Sequence, residues 1–150
     1  MNKIEVYEAL LKVIQERGAE MQLAWNELME SNKQGGKSSA GDKHETAAAQ
    51  VHLELEKMGK QMLEHNRKCE ELERFNPSKL ESNHNVRSGS LVETSEGWFY
   101  IITSLGKLTT ESGECFVVSA SSPIGAALLG KQVGEVFQWN LQEGKILSIF

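Results

Sequence analysis

Cysteine and proline are both scarce in this sequence. Only two cysteines, Cys69 and Cys115, occur in 150 residues, one in each half. They offer no disulfide framework and fit a reducing cytoplasm. The two prolines, Pro77 and Pro123, leave residues 1–76 free of helix breakers of that kind. No stretch approaches 18 consecutive apolar residues, which excludes a membrane-spanning helix. The opening Met1-Asn2-Lys3-Ile4-Glu5 lacks the apolar run of a signal peptide. Positive charge is short as well: 16 Lys and Arg stand against 21 Asp and Glu, a net charge of −5. Residues 1–75 hold 11 basic and 14 acidic residues, and the remainder 5 and 7, so neither half is a basic tail. Wrapping of duplex nucleic acid, which needs a basic face, is disfavoured. The expectation is a soluble cytoplasmic protein of one or two domains.

What is present is periodicity. Ile4, Tyr7, Leu11, Ile14, Gly18, Met21, Trp25 and Leu28 follow alternating steps of three and four, an a/d seam through more than three heptads. The stepping returns at Ala48, Val51, Leu55, Met58, Met62, His65, Cys69 and Leu72. Two helices of roughly 27–29 residues would each be ~40–44 Å long. Residues 31–41, Ser-Asn-Lys-Gln-Gly-Gly-Lys-Ser-Ser-Ala-Gly, are rich in breakers and separate the runs. The matched seams predict an antiparallel hairpin over residues 1–75, Ile4–Leu28 facing Ala48–Leu72, with an acidic tip at 41–45. The charges on the outer faces read as solvated surface.

Past Phe75-Asn76-Pro77-Ser78 the helical pattern stops, and residues 76–85 read as a linker. From residue 86 to 150 the period changes. Ser90–Glu93, Trp98–Ile102, Cys115–Ser119, Glu135–Trp139 and Lys145–Ile149 are short β-type segments between Gly and Ser turns. Ser122 as N-cap, Pro123 at the first helical position and Gly130 just past the end mark a short helix. The expected fold is α+β: a coiled-coil hairpin followed by a small antiparallel sheet domain with one short helix.

Chemistry-bearing residues are few. Asp42 and Glu45 have the spacing of a capping box at the start of the second helix. The same two carboxylates suit a hard Mg²⁺ ion, which often takes one or two protein carboxylates and keeps several waters. Two acids cannot hold such an ion tightly, so a partner's ligands would have to complete the site. The capping and metal readings are compatible. His44, His52, His65 and His84 are too scattered for a metal site, and the seam positions of His65 and Cys69 predict a packed histidine and a buried, inert thiol. Lys33, Lys37 and Lys43 surround the tip, where they can approach a phosphate or simply solvate a loop. No Gly-rich phosphate loop, nucleophile elbow or Cys-x-x-Cys pair occurs.

A heptad hairpin with Gly41-Asp42-x-x-Glu45 at its tip precedes a β domain containing Val118-Ser119-Ala120-Ser121-Ser122-Pro123-Ile124-Gly125 and Leu128-Leu129-Gly130-Lys131. This order resembles the bacterial transcript cleavage factors GreA and GreB over almost the whole chain. The resemblance implies an FKBP-like C-terminal domain that docks on RNA polymerase through Ser122, Pro123 and Ile124, and the short helix start beside a Pro-fixed turn predicts that Ile124 is exposed. It further implies a monomer whose hairpin enters the secondary channel. There the tip acids, matched by Asp42 and Glu45, help hold a Mg²⁺ ion in the polymerase active site for cleavage of backtracked RNA at its 3′ end. The factor itself is then an accessory and not an enzyme. Where the family continues with Asn-Ala-Glu-Tyr after the second acid, this chain has Thr46-Ala47-Ala48-Ala49, and His52 and Leu53 stand where the family tends to carry a basic residue.

Three other readings stay open at this point: a regulator that occupies the channel without promoting cleavage, a peptide-binding or prolyl isomerase module suggested by the FKBP-like fold, and a generic coiled-coil adaptor.

Overall fold

The structure, a computed structural model, describes residues 1–35, 41–77 and 84–150, and only the backbone of Gly35, Asp42 and His44. Two long helices come first, α1 (Lys3–Gly35) and α2 (Asp42–Glu73). At 33 and 32 residues they run about 50 Å each at 1.5 Å rise per residue. The chain divides into two compact units, residues 12–71 and residues 1–11 with 72–150.

Within residues 12–71 the helices pack antiparallel, as the seams predict. A Cβ on Gly18 of α1 would lie 2.6 Å from His65 Nε2 of α2, and one on Gly59 of α2 would lie 3.8 Å from the Trp25 ring of α1. Moving along α1 from Gly18 to Trp25 thus moves backward along α2 from His65 to Gly59. At Gly18 the missing side chain admits the His65 ring, whereas the spacing at Gly59 is ordinary van der Waals contact. Ile14 is buried, and Met21, Trp25, Leu28, Leu55, Met58 and Met62 are half-buried. Two helices alone cannot enclose both sides of a seam. The helices also carry the exposed pair Glu56–Lys60 at 2.8 Å and the pair of Glu64 with half-buried Lys68 at 3.5 Å, both in the favourable acid-before-base order. Of the breaker segment expected at 31–41, residues 31–35 instead continue α1, and 36–40 lie outside the described residues.

The second unit is built on a six-stranded sheet: β1 (Leu91–Thr94), β2 (Gly97–Ile101), β3 (Gly106–Thr110), β4 (Gly113–Val118), β5 (Val136–Trp139) and β6 (Gln142–Ile149), with α3 (Pro123–Leu128) between β4 and β5. Strand order is β3-β4-β2-β1-β6-β5. The sequence reading expected five strands in an antiparallel sheet, and the structure corrects both points. The sixth strand is β3, Gly-Lys-Leu-Thr-Thr, whose one large apolar side chain, Leu108, is buried. The chain leaves β2, forms β3 at the edge and returns as β4 between them, so β4 runs parallel to β2 while pairing antiparallel with β3.

Alternation along the strands gives the sheet two buried faces. Val92, Phe99, Ile101 and Ile146 form one cluster with Val86, Phe137 and the α3 residues Ile124 and Leu128. Leu91, Tyr100, Cys115 and Val117, out of phase with that set, are also buried. On their side Phe75, just past α2, meets Tyr100 edge-on at 6.4 Å and Tyr7 of α1 at 5.7 Å. A Cβ on Gly89 would lie 2.2 Å from the Phe75 ring, so only glycine fits there, and its φ of +88° suits glycine as well. Tyr7 Oη donates to Leu72 O at 2.6 Å. Lys3 Nζ donates to Phe150 O at 3.2 Å and sits 5.6 Å from the centre of the Phe75 ring. Tyr100 Oη has no hydrogen-bond partner among the described residues, and burial raises its pKa. The Glu5 carboxylate accepts from both the hydroxyl and, at 3.1 Å, the amide of Ser112 in the β3–β4 turn. These bonds lower its pKa.

Two predictions test this packing. Gly18→Leu should destabilise the hairpin by about 1–3 kcal/mol through overpacking, and His65→Ala in the same chain should restore much of the loss, a coupling read from thermal unfolding at 222 nm. The Glu5–Ser112 contact carries a definite pH sign. A carboxyl whose folded pKa is depressed contributes stability that is present above its unfolded pKa and lost as pH falls through the folded value. The Ser112 amide resonance should therefore titrate below the ordinary carboxylate range, and Glu5→Gln should remove that step.

Candidate functional site: the hairpin tip and the start of α3

Gly41 precedes α2 with φ of +79°, a conformation that favours glycine and lets the chain turn into the helix. Asp42 is the first residue of α2 and Glu45 lies three residues on, so their Cα–Cβ bonds share one helical face. Glu45 is exposed, as are Lys43, Thr46, Ala47 and Ala49. The Asp42 side chain lies outside the described residues, and with it both the capping box and the distance between the carboxylates. Among the described residues no three His, Cys, Asp or Glu side chains gather where they could hold a metal ion. Of the tip lysines, Lys33 is exposed beside Glu30 at 3.9 Å, and Lys37 lies outside the described residues. His52 and Leu53 are exposed further along α2. Sequence reasoning missed an open groove of about 580 Å³ between the helices, lined by Leu28, Met58, Glu27, Glu54 and Lys57 among others. Its only signal was the incomplete burial that a two-helix seam implies.

The start of α3 is held by a compact set of bonds. Ser122 Oγ accepts from the Gly125 amide at 3.0 Å and donates to Ser119 O at 2.7 Å. This is the N-cap the sequence predicts, with Pro123 next. Gly125 is buried, and a Cβ there would fall 2.0 Å from Ser119 O, so the helix lies directly against the preceding backbone. That contact and the cap fix the rotation of α3.

The rotation corrects one expectation. Ile124 was expected to be an exposed docking residue, but it is 5% exposed and packs with Leu128, four residues on, in the cluster against the sheet. Pro123 and Ala126 are on the outside, beside exposed Ser121, while Ser122 is half-buried. The apolar i, i+4 pair Ile124 and Leu128 was the signal available in the sequence.

Other groups divide by environment. Burial pushes the Cys115 thiol up to about 11. Lys3 is lowered by burial and then by the charge of Arg87. Cys69, expected to be buried, is half-exposed, with Sγ 3.5 Å from His65 Nε2. The aromatic side chains of the β domain serve mainly in packing: Phe99, Tyr100 and Phe137 are buried, and the more exposed Phe116 stacks on Phe99 at 5.8 Å.

The geometry of α3 predicts opposite outcomes for two neighbouring acids. Ile124→Asp buries an unpaired carboxylate and should cost several kcal/mol, collapsing the β domain's near-ultraviolet circular dichroism. Ala126→Asp, on the exposed side, should leave the spectrum and the unfolding midpoint close to those of the unsubstituted chain.

Residues 85–149, the unit of β1–β6 and α3, match the family profile described as transcription elongation factor, GreA/GreB, C-terminal. No curated protein matches the sequence. Among solved structures, GreA factor homolog 1 (Gfh1) of Thermus thermophilus is 21% identical, with 97% of this chain and 95% of that chain covered and a TM-score of 0.36. Gfh1 of Thermus aquaticus is 18% identical over 95% and 94% of the two chains, also with a TM-score of 0.36. The likeness rests on the profile match. Over residues 85–149 the chain is similar to the C-terminal part of the GreA/GreB transcription elongation factors.

Proposed function

We propose that this chain binds bacterial RNA polymerase, that its hairpin enters the secondary channel, and that Asp42 and Glu45 help hold a Mg²⁺ ion there for cleavage of backtracked RNA. The observation that carries the reading is the pair of acids in the first turn of α2, with Glu45 exposed, directly after Gly41. Carboxylate oxygens suit the hard ion, and two of them make half a site, so the polymerase supplies the remaining ligands. The ion, when bound, supplies Lewis acidity for phosphodiester hydrolysis. The chain's own contribution is to carry two negative charges on a helical turn whose backbone is already fixed, which avoids ordering them at the moment of binding.

Docking on the polymerase falls to the exposed edge of α3. Pro123 and the half-buried Ser122 are available for contact, and Ile124 supports them from below by filling the core under the helix.

A second reading has its own observation. Thr46, Ala47 and Ala49, exposed just after Glu45, bring no further carboxylate and no aromatic ring to the tip. This favours a factor that binds in the channel without promoting cleavage.

Asp42→Asn with Glu45→Gln separates charge from capping. Asn and Gln keep side-chain acceptors in the first turn of α2, so helix stability should change by only a few tenths of a kcal/mol. The double variant should bind polymerase as the unsubstituted chain does and fail to stimulate cleavage in stalled complexes, resolved on gels at several Mg²⁺ concentrations. Equal cleavage by both proteins would reject the carboxylate role. Absence of stimulation by either would establish the channel-occupying reading.

A further inference from the structure

Methionine is distributed unevenly along the chain. The five methionines are Met1, Met21, Met29, Met58 and Met62, so the β domain has none. Four of them lie in the unit of residues 12–71, and all four are half-buried. The register of Gly18 against His65 brings Met21, three residues on, level with Met62, three residues back. Met58 adjoins Gly59, which faces the Trp25 ring, and lines the open groove between the helices with Leu28. Met29 follows Trp25 by one turn of α1. Among the described residues of 12–71 only Ile14 is fully buried. The seam therefore depends on side chains that are partly covered and partly open to solvent, and four of these are thioethers.

We infer that Met21, Met29, Met58 and Met62 form a peroxide-sensitive site whose oxidation loosens the hairpin while the β domain stays folded. A thioether sulfur attacks one oxygen of a hydroperoxide, an S–O bond forms and the O–O bond breaks. The hydroxyl proton passes to the other oxygen, which leaves as water or, from an organic peroxide, as an alcohol. Sulfur is oxidised and the peroxide reduced by one electron pair. A methionine sulfoxide reductase reverses the step, its thiols forming a disulfide as the oxygen leaves in water. The sulfoxide is polar where the thioether was flexible and apolar. At the level of Met21 and Met62 both facing positions change together, and burying a polar S–O group there is unfavourable. The β domain holds its core with residues such as Phe99, Tyr100, Phe137 and Ile146 and offers peroxide no thioether. Softening the rod would also disarm the tip acids it carries. That consequence rests on the proposed function, whereas the chemistry does not.

The test uses the full chain with Cys69→Ser, which removes the half-exposed thiol as a competing reductant. Hydrogen peroxide is the probe, and peptide mass spectrometry locates the sulfoxides. All four hairpin methionines should gain oxygen in the folded protein, and the helical unfolding midpoint at 222 nm should fall by roughly 5 °C or more. Amide resonances of β1–β6 should stay in place. Methionine sulfoxide reductase with dithiothreitol should restore the midpoint. Replacing the four by leucine, a swap that nearly conserves volume, should keep the hairpin folded and abolish the response. Met1 is retained in both chains, so its oxidation cancels. Methionines that react only after unfolding, oxidation without a lower midpoint, loss of the β-domain resonances at the same dose, or an equal drop in the leucine variant would each overturn the assignment. Should the leucine variant fail to fold, the reductase arm decides, because a midpoint that stays low once the oxygens are removed also overturns it.

Discussion

The tightest fit in the hairpin is the place where a glycine on one helix receives a ring from the other, Gly18 under His65. Apolar seams alone allow two helices to slide by a heptad at little cost, because one layer of Leu or Met resembles the next. A glycine opposite a ring is less forgiving, since sliding would set the ring against a side chain and leave the glycine facing a void. This layer favours one register of α1 on α2. The same register places Gly18 against His65 and, through it, orients the imidazole toward Cys69.

In the second unit the corresponding constraint is Phe75 against Gly89. The ring occupies space that any other residue at 89 would fill, and it joins Tyr7 and Tyr100 in one aromatic cluster. The first turns of α1 add polar contacts at the periphery, Glu5 to Ser112 and Lys3 to Phe150. The apolar cluster supplies most of the stabilisation, because exposed charged contacts contribute little. The sheet is thereby covered on both sides, by α3 on one and by helix ends on the other. This accounts for strands such as Gly97–Ile101 that end in consecutive buried residues instead of alternating with polar ones.

Much of this was legible in the sequence. The heptad steps gave both helices, and no proline or run of glycines contradicted them. Ser122, Pro123 and Gly130 bounded α3 correctly because capping is local chemistry that a few residues specify by themselves. What the sequence hid depends on partners distant in the chain. β3 escaped notice because one inward Leu108 among glycine, lysine and threonines makes no alternating pattern. Parallel pairing of β2 with β4 follows from where the chain returns, which no single segment records. Ile124 was misplaced because its position beside a Pro-fixed turn at the helix start suggested exposure, whereas the helix phase set by Gly125 against Ser119 turned it inward. At the tip, the spacing of Asp42 and Glu45 was plain from the sequence, but whether their charge serves metal recruitment lies in chemistry completed by another molecule.

The central claim is the proposed one, that the hairpin tip of this chain reaches the catalytic centre of RNA polymerase. A photo-crosslinking amino acid in place of Lys43, exposed between the two tip acids, tests it most directly in a stalled complex carrying end-labelled RNA. The account predicts crosslinks to the catalytic subunit near its active site and to the RNA 3′ end. Crosslinks confined to the outer surface of the polymerase, or none at all while the β domain remains bound, would contradict it.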